Sequence, residues 1–91
     1  MNRKAKRGMS ENSIKQKIRE FIIENFLFGT DEGFKDETSF LEGGIIDSTG
    51  ILELVAFLEE EFSISVDDEE MIPENLDSVN NVGAYLKRKL A

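Results

Sequence analysis

Apolar residues recur at helical spacing in three stretches of the chain. Ile14, Ile18, Phe21, Ile22 and Phe26 share one helical face, at i, i+4, i+7, i+8 and i+12. Ser10 is placed to cap this first helix and Gly29 to end it. A second run, Ile51, Leu54, Val55, Leu58 and Phe62, follows Asp47-Ser48, and Asp47 is a natural N-cap for it. A third begins near Ser78 and places Val79, Val82, Leu86 and Leu90 together. Pro73 suits the first position of one further short helical turn through Asn75 and Leu76. Ser63-Ile64-Ser65-Val66 alternates polar and apolar, but with no partner strand it reads as a connection rather than a sheet.

These elements predict an all-α, up-and-down-like four-helix bundle, three main helices plus one short helix. A long loop from Gly29 to Ile46 joins the first and second helices. Loops of that length are uncommon in compact domains unless they are functional or tied to the core. Phe34, Phe40, Leu41, Ile45 and Ile46 are the expected ties. Residues 1–9 read as a flexible basic arm and 10–91 as the single domain. No hydrophobic stretch follows the basic start, so the reading includes no signal peptide and no membrane span, and the expected location is the cytoplasm. A monomer is expected.

Composition then removes whole classes of chemistry. The 91 residues include no His and no Cys. Zinc sites of the usual kind, thiol nucleophiles and imidazole bases are therefore excluded. The formal net charge is −8, which disfavours nucleic acid and favours basic protein surfaces. From Asp36 to Leu86 there are fourteen acidic residues and no Lys or Arg. Surfaces normally mix signs, so a stretch of this length in one sign points beyond mere solvation. Asp67-Asp68-Glu69-Glu70 invites a calcium-loop reading, but no Gly follows at the position an EF-hand turn requires, and no metal site is expected.

Asp-Ser before an apolar run is by itself only a helix cap. Its surroundings are more specific: Phe40-Leu41-Glu42-Gly43-Gly44-Ile45-Ile46-Asp47-Ser48, then Glu53-Leu54-Val55 and Leu58-Glu59-Glu60-Glu61-Phe62. From about Ile14 to Leu90 the chain resembles an acyl carrier protein. The resemblance implies that Ser48, beside Asp47 at the start of the second helix, carries a covalent 4′-phosphopantetheine arm derived from coenzyme A. It further implies that acyl intermediates ride on that arm as thioesters, and that the partners are a phosphopantetheinyl transferase, an acyl-activating ligase or acyltransferase, and downstream synthase enzymes. Pro73 to Ser78 resembles the third-helix region of carriers serving polyketide and nonribosomal peptide pathways.

Two positions depart from the family pattern. Thr49 stands where the family has Leu after the serine, which points to a dedicated pathway carrier rather than a general fatty-acid one. Gly50 follows, and as a first-turn glycine it is expected to leave the approach to Ser48 open.

The residues support the same chemistry separately. With no His to deprotonate it, Ser48 is not a self-activated nucleophile; a reactive serine here is the substrate of another enzyme, and the chain itself catalyses nothing. A helix N-terminus also favours an attached phosphate. Opposite the apolar face of the second helix lie Thr49, Leu52, Glu53, Ala56, Glu59 and Glu60, an acidic rim around a small apolar patch and the expected docking stripe. Ala56, Gly83 and Ala84 either leave room for an acyl chain or permit close helix packing. An aminoacyl or peptidyl carrier, and an unmodified acidic helical docking module, are the alternative readings.

Overall fold

The computed structural model describes residues 9–30 and 32–91. The basic arm, apart from Met9, lies outside the described residues. Among the described residues four helices form: α1 (Glu11–Phe26), α2 (Gly50–Phe62), α3 (Pro73–Leu76) and α4 (Val79–Leu90), with a 3₁₀ turn at Asp68–Glu70. No strand occurs among the described residues, and the architecture is the expected small helical bundle.

The local signals act where the sequence places them. The Ser10 side chain accepts from the Ser13 amide (3.2 Å) and that of Ser78 from the Asn81 amide (3.0 Å), so α1 and α4 each begin on a hydroxyl cap. Pro73 opens α3, where its missing N–H is no loss. Ile14, Ile18 and Ile22 of α1 are fully buried, against Leu54, Leu58 and Phe62 of α2 and Val79, Val82 and Leu86 of α4 in one core. Each such side chain contributes roughly 1.5–3 kcal/mol by leaving water. Phe21 and Phe26 are only half-buried and close the side of the core; the Phe21 ring stacks on Phe57 of α2 at 4.1 Å between centroids.

The structure sharpens three expectations. First, α1 runs to Phe26, and Gly29 ends it as expected, from just beyond the last turn. Phe28 turns left-handed (φ 55°), and Gly29 (φ 90°) donates its amide to the Ile23 carbonyl at 2.9 Å, so glycine satisfies the helix end from outside it. Second, Phe34, Phe40 and Ile46 tie the long loop to the core, but Leu41 does not: it is 51% exposed. Third, Ile51 is half-buried at the edge of the core, and the position that faces inward at this end of α2 is Gly50.

The loop is also held by polar contacts. Arg19 on α1 lies over the Phe34 ring (4.7 Å), donates to the Phe34 carbonyl (3.1 Å) and pairs with Asp36 (3.0 Å). The Asp36 carbonyl in turn accepts from the Asn80 amide of α4. At the α1–α4 crossing a Cβ on Gly83 would come within 2.9 Å of Lys15 Cγ, so the glycine serves close packing against the lysine stem.

Candidate functional site

The chain enters α2 through a compressed turn. Phe40 is buried, and its carbonyl accepts from both Ile45 (2.8 Å) and Ile46 (3.2 Å), folding the intervening residues back on themselves. Glycines make the fold-back possible: Gly44 has φ 69°, and a Cβ on Gly43 would sit 2.8 Å from the Ser39 carbonyl oxygen. Asp47 emerges from this turn with Oδ1 accepting from the Gly50 amide at 2.7 Å, while its carbonyl accepts from Ile51 at 3.1 Å. Asp47 thus caps the helix as its sequence position suggests. Thr49 already has helical dihedrals, and the regular helix is assigned from Gly50.

Ser48 is therefore a first-turn residue, and it is exposed. Among the described residues nothing hydrogen-bonds its hydroxyl. The carboxylate beside it is engaged as a cap through Oδ1.

Beside Ser48 opens a cleft of about 220 Å³. Ser48 and Ile51 form one side of it, Leu41 of the loop another, and Met71, Ile72, Pro73 and Leu76 the facing wall; Asp77 completes the lining. Apart from Ser48 and Asp77 every lining residue is apolar. Leu41 and Ile72 are two of the four large hydrophobic residues that the fold leaves exposed among the described residues.

That facing wall is fixed from behind. Glu70 Oε1 accepts from Tyr85 Oη (2.9 Å), from Lys89 Nζ (3.1 Å) and from the Asp67 amide (3.0 Å), tying the 3₁₀ turn to α4 just before Met71. The Asp67 amide, then Tyr85 and Lys89, hold the Glu70 carboxyl below its ordinary range. Burial, then the Glu70 carboxylate, with Asp67 and Glu59 adding to it, push the Tyr85 phenol well above its ordinary value. Among the described residues no three acidic side chains converge as a metal site.

The structure brings most of the expected docking stripe to one surface. Thr49, Leu52, Glu53, Ala56 and Glu60 are exposed on α2, Leu52 to 58%. Glu59 is half-buried, and its Oε2 accepts from the Val66 amide at 2.9 Å, holding the segment that leaves the helix. Gly50 differs from its expected role. An added Cβ would meet Ile46 Cγ2 and Phe26 Cε1 at 3.0 Å, so glycine here lets α2 approach the end of α1 rather than clearing the way to Ser48. Gly83 belongs to packing, and Ala56 faces solvent.

Sequence reasoning missed the cleft wall of Met71 and Ile72, the role of Leu41 as its lip, and Asp77. One signal was available. Ile72 precedes a proline and must be extended, so its side chain leaves the helical pattern.

A first helical turn presenting an unpartnered serine above an apolar cleft defines a small helical module suited to carrying a group. Curated relatives give its family. The chain is 40% identical over 80 residues to an acyl carrier protein of Akkermansia muciniphila, covering 88% of this chain and 96% of that protein. It is 36% identical over 77 residues to an acyl carrier protein of Bdellovibrio bacteriovorus, covering 85% and 95%. It is 32% identical over 75 residues to a probable acyl carrier protein, PigG, of a Serratia species, covering 82% and 86%. No family model matches the chain. At these identities over nearly the whole length, the chain belongs to the acyl carrier protein family.

Proposed function

We propose that this protein carries acyl intermediates as thioesters on a 4′-phosphopantetheine arm attached to Ser48 Oγ, and passes them between enzymes without catalysing a reaction itself. The observation that carries the reading is Ser48: exposed, unpartnered, in the first turn of α2 and on the edge of the apolar cleft. In the attachment, Ser48 Oγ displaces adenosine bisphosphate from coenzyme A, and a transferase supplies the base that takes the hydroxyl proton. The arm supplies the thiol that a chain without Cys cannot. The residues around it do the rest. The free amides of the first turn favour the phosphate diester, Asp47 keeps that turn in register, and the cleft shelters an apolar group from water.

The exposed stripe of Thr49, Leu52, Glu53, Ala56 and Glu60 is the surface for a transferase, for an acyl-activating ligase or acyltransferase, and for synthase partners with basic patches. Thr49 in place of leucine supports service to a dedicated pathway.

Incubation with coenzyme A, magnesium and a broad-specificity phosphopantetheinyl transferase tests the attachment by intact mass. One phosphopantetheine should add to the parent and none to Ser48→Ala, whose helical circular dichroism stays unchanged. Modification of the Ala variant would move the site to another serine. No modification of either would leave an unmodified acidic docking module as the better reading.

A further inference from the structure

Asp77, the residue that follows α3, joins two walls of the cleft. Its Oδ2 accepts from Ser39 Oγ (2.5 Å) and its Oδ1 from the Leu41 amide (3.0 Å). Its carbonyl accepts from the Phe40 amide (2.8 Å). Ser39 Oγ also accepts from the Glu42 amide, so the one carboxylate organises the whole turn that carries Leu41. On its own side Asp77 continues directly from Leu76, and its amide donates to the Pro73 carbonyl (3.0 Å). The loop wall and the α3 wall therefore cannot separate at Leu41 without breaking these side-chain bonds. Phe40 is buried and would stay in place; Leu41, half exposed, is the part free to swing.

We propose that Asp77 is a positioning residue that sets the width of the cleft, and through it the length of acyl chain the protein shelters. The inference rests on attachment at Ser48. The cleft beside Ser48 is small, about 220 Å³. A hexanoyl chain on Ser48 is therefore expected to be covered over more of its length than a dodecanoyl chain. Two hydrogen bonds to one side chain at the edge of an apolar groove suit this duty, since they are directional and the groove surface is not.

Two measurements test the proposal on parent, Asp77→Asn, Asp77→Ala and Ser39→Ala proteins. The asparagine variant keeps an acceptor for Leu41 and can donate to Ser39, so it should behave as the parent. In the unmodified chain, the Leu41 and Glu42 amides should exchange with deuterium about tenfold faster in Asp77→Ala than in the parent, while Ile18 and Ile22 stay unchanged. Ser39→Ala, which leaves the Leu41 bond, should speed Glu42 alone. Equal exchange at Leu41 and Glu42 in all four proteins overturns the latch whatever Ser48 carries.

The second measurement loads hexanoyl- and dodecanoyl-phosphopantetheine at Ser48 and follows thioester cleavage by hydroxylamine. The parent and Asp77→Asn should transfer the dodecanoyl group to hydroxylamine, as its hydroxamate, about fivefold faster than the hexanoyl group, and Asp77→Ala should bring the two rates together. A ratio unchanged in Asp77→Ala removes Asp77 from chain-length control. If no arm can be attached to Ser48 in the parent, the attachment reading falls and the cargo role with it, while the exchange result still decides the latch.

Discussion

Ser63 ends α2 in the left-handed conformation (φ 57°, ψ 46°), with the Glu59 carbonyl accepting from the amides of both Ser63 and Ile64. Glycine is the residue that adopts this conformation without a Cβ clash. Ser63 is exposed and its side chain makes no hydrogen bond among the described residues, so the conformational cost is uncompensated there. Ser63→Gly should raise stability by about 0.5–1 kcal/mol, the left-handed penalty less the extra chain entropy of glycine in the unfolded state. Thermal unfolding should then move up by about 2–8 °C, given the ~4–8 °C per kcal/mol typical of a domain this size. At this scale the sequence is legible where a residue acts on its own neighbours. Ser10 and Asp47 cap as read, and Ser78, where the last helix was expected to begin, caps it, because a cap needs only an amide three residues on. Leu41, Gly50 and Glu59 were misplaced because each is decided by a distant partner: Asp77 fixes the turn that exposes Leu41, Phe26 fills the space over Gly50, and Val66 draws Glu59 inward.

Helix ends show the same division at the scale of elements. α4 finishes on Lys87, Arg88 and Lys89, as its dipole favours, and Lys89 also reaches Glu70. α2 finishes on Glu59, Glu60 and Glu61 with no basic residue in its last turn. Two of the three are absorbed. Glu59 holds Val66, and Glu61 pairs with Lys17 of α1 at 3.4 Å, a partner invisible to any count of neighbours along α2. Glu60 is exposed and has no such partner among the described residues. Glu60→Lys should therefore raise the urea midpoint at low salt, by about 0.3–1 kcal/mol in stability, and the gain should fade as salt screens the helix end. A loss of stability at low salt would show the carboxylate to be held after all.

The tie between the 3₁₀ turn and α4 gives the fold a pH response of known sign. Glu70 is held below its ordinary carboxyl range, so its contribution is present above that range and is lost as pH falls through the lowered value. Tyr85 is pushed up, so its contribution is present at neutral pH and is lost as pH rises past the usual phenol range. Glu70→Gln should flatten the fall in melting temperature between about pH 5 and pH 3 relative to the parent. An acid limb unchanged in the variant would assign that fall to the other carboxylates. None of this was readable beforehand, since Tyr85 lies outside the Val79, Val82, Leu86, Leu90 pattern that located α4.

For the molecule as a whole, architecture was legible and the cleft was not. Three amphipathic faces of helical period leave a chain this short few choices but to pack around one core. The cleft arises only when the loop, α2 and α3 meet, and sequence spacing carries no signal of that meeting. Charge behaves as a global property too. With a net charge of −8 and the acidic residues concentrated from Asp36 onward, the exposed stripe below Ser48 should attract a basic enzyme surface before any contact forms. Such steering acts on encounter, so kcat/KM for the transferase should fall as salt rises toward a Debye length of about 8 Å at 0.15 M. Glu53→Lys inverts one charge one turn from Ser48 and should lower that rate by about tenfold at low salt while flattening the salt dependence. The substitution also removes a carboxylate from the first turn of α2, a loss of about 0.3–1 kcal/mol, too small to unfold the protein and checked by its helical spectrum. A variant that is as helical as the parent and as fast at low salt would leave the acidic stripe with no part in finding this enzyme.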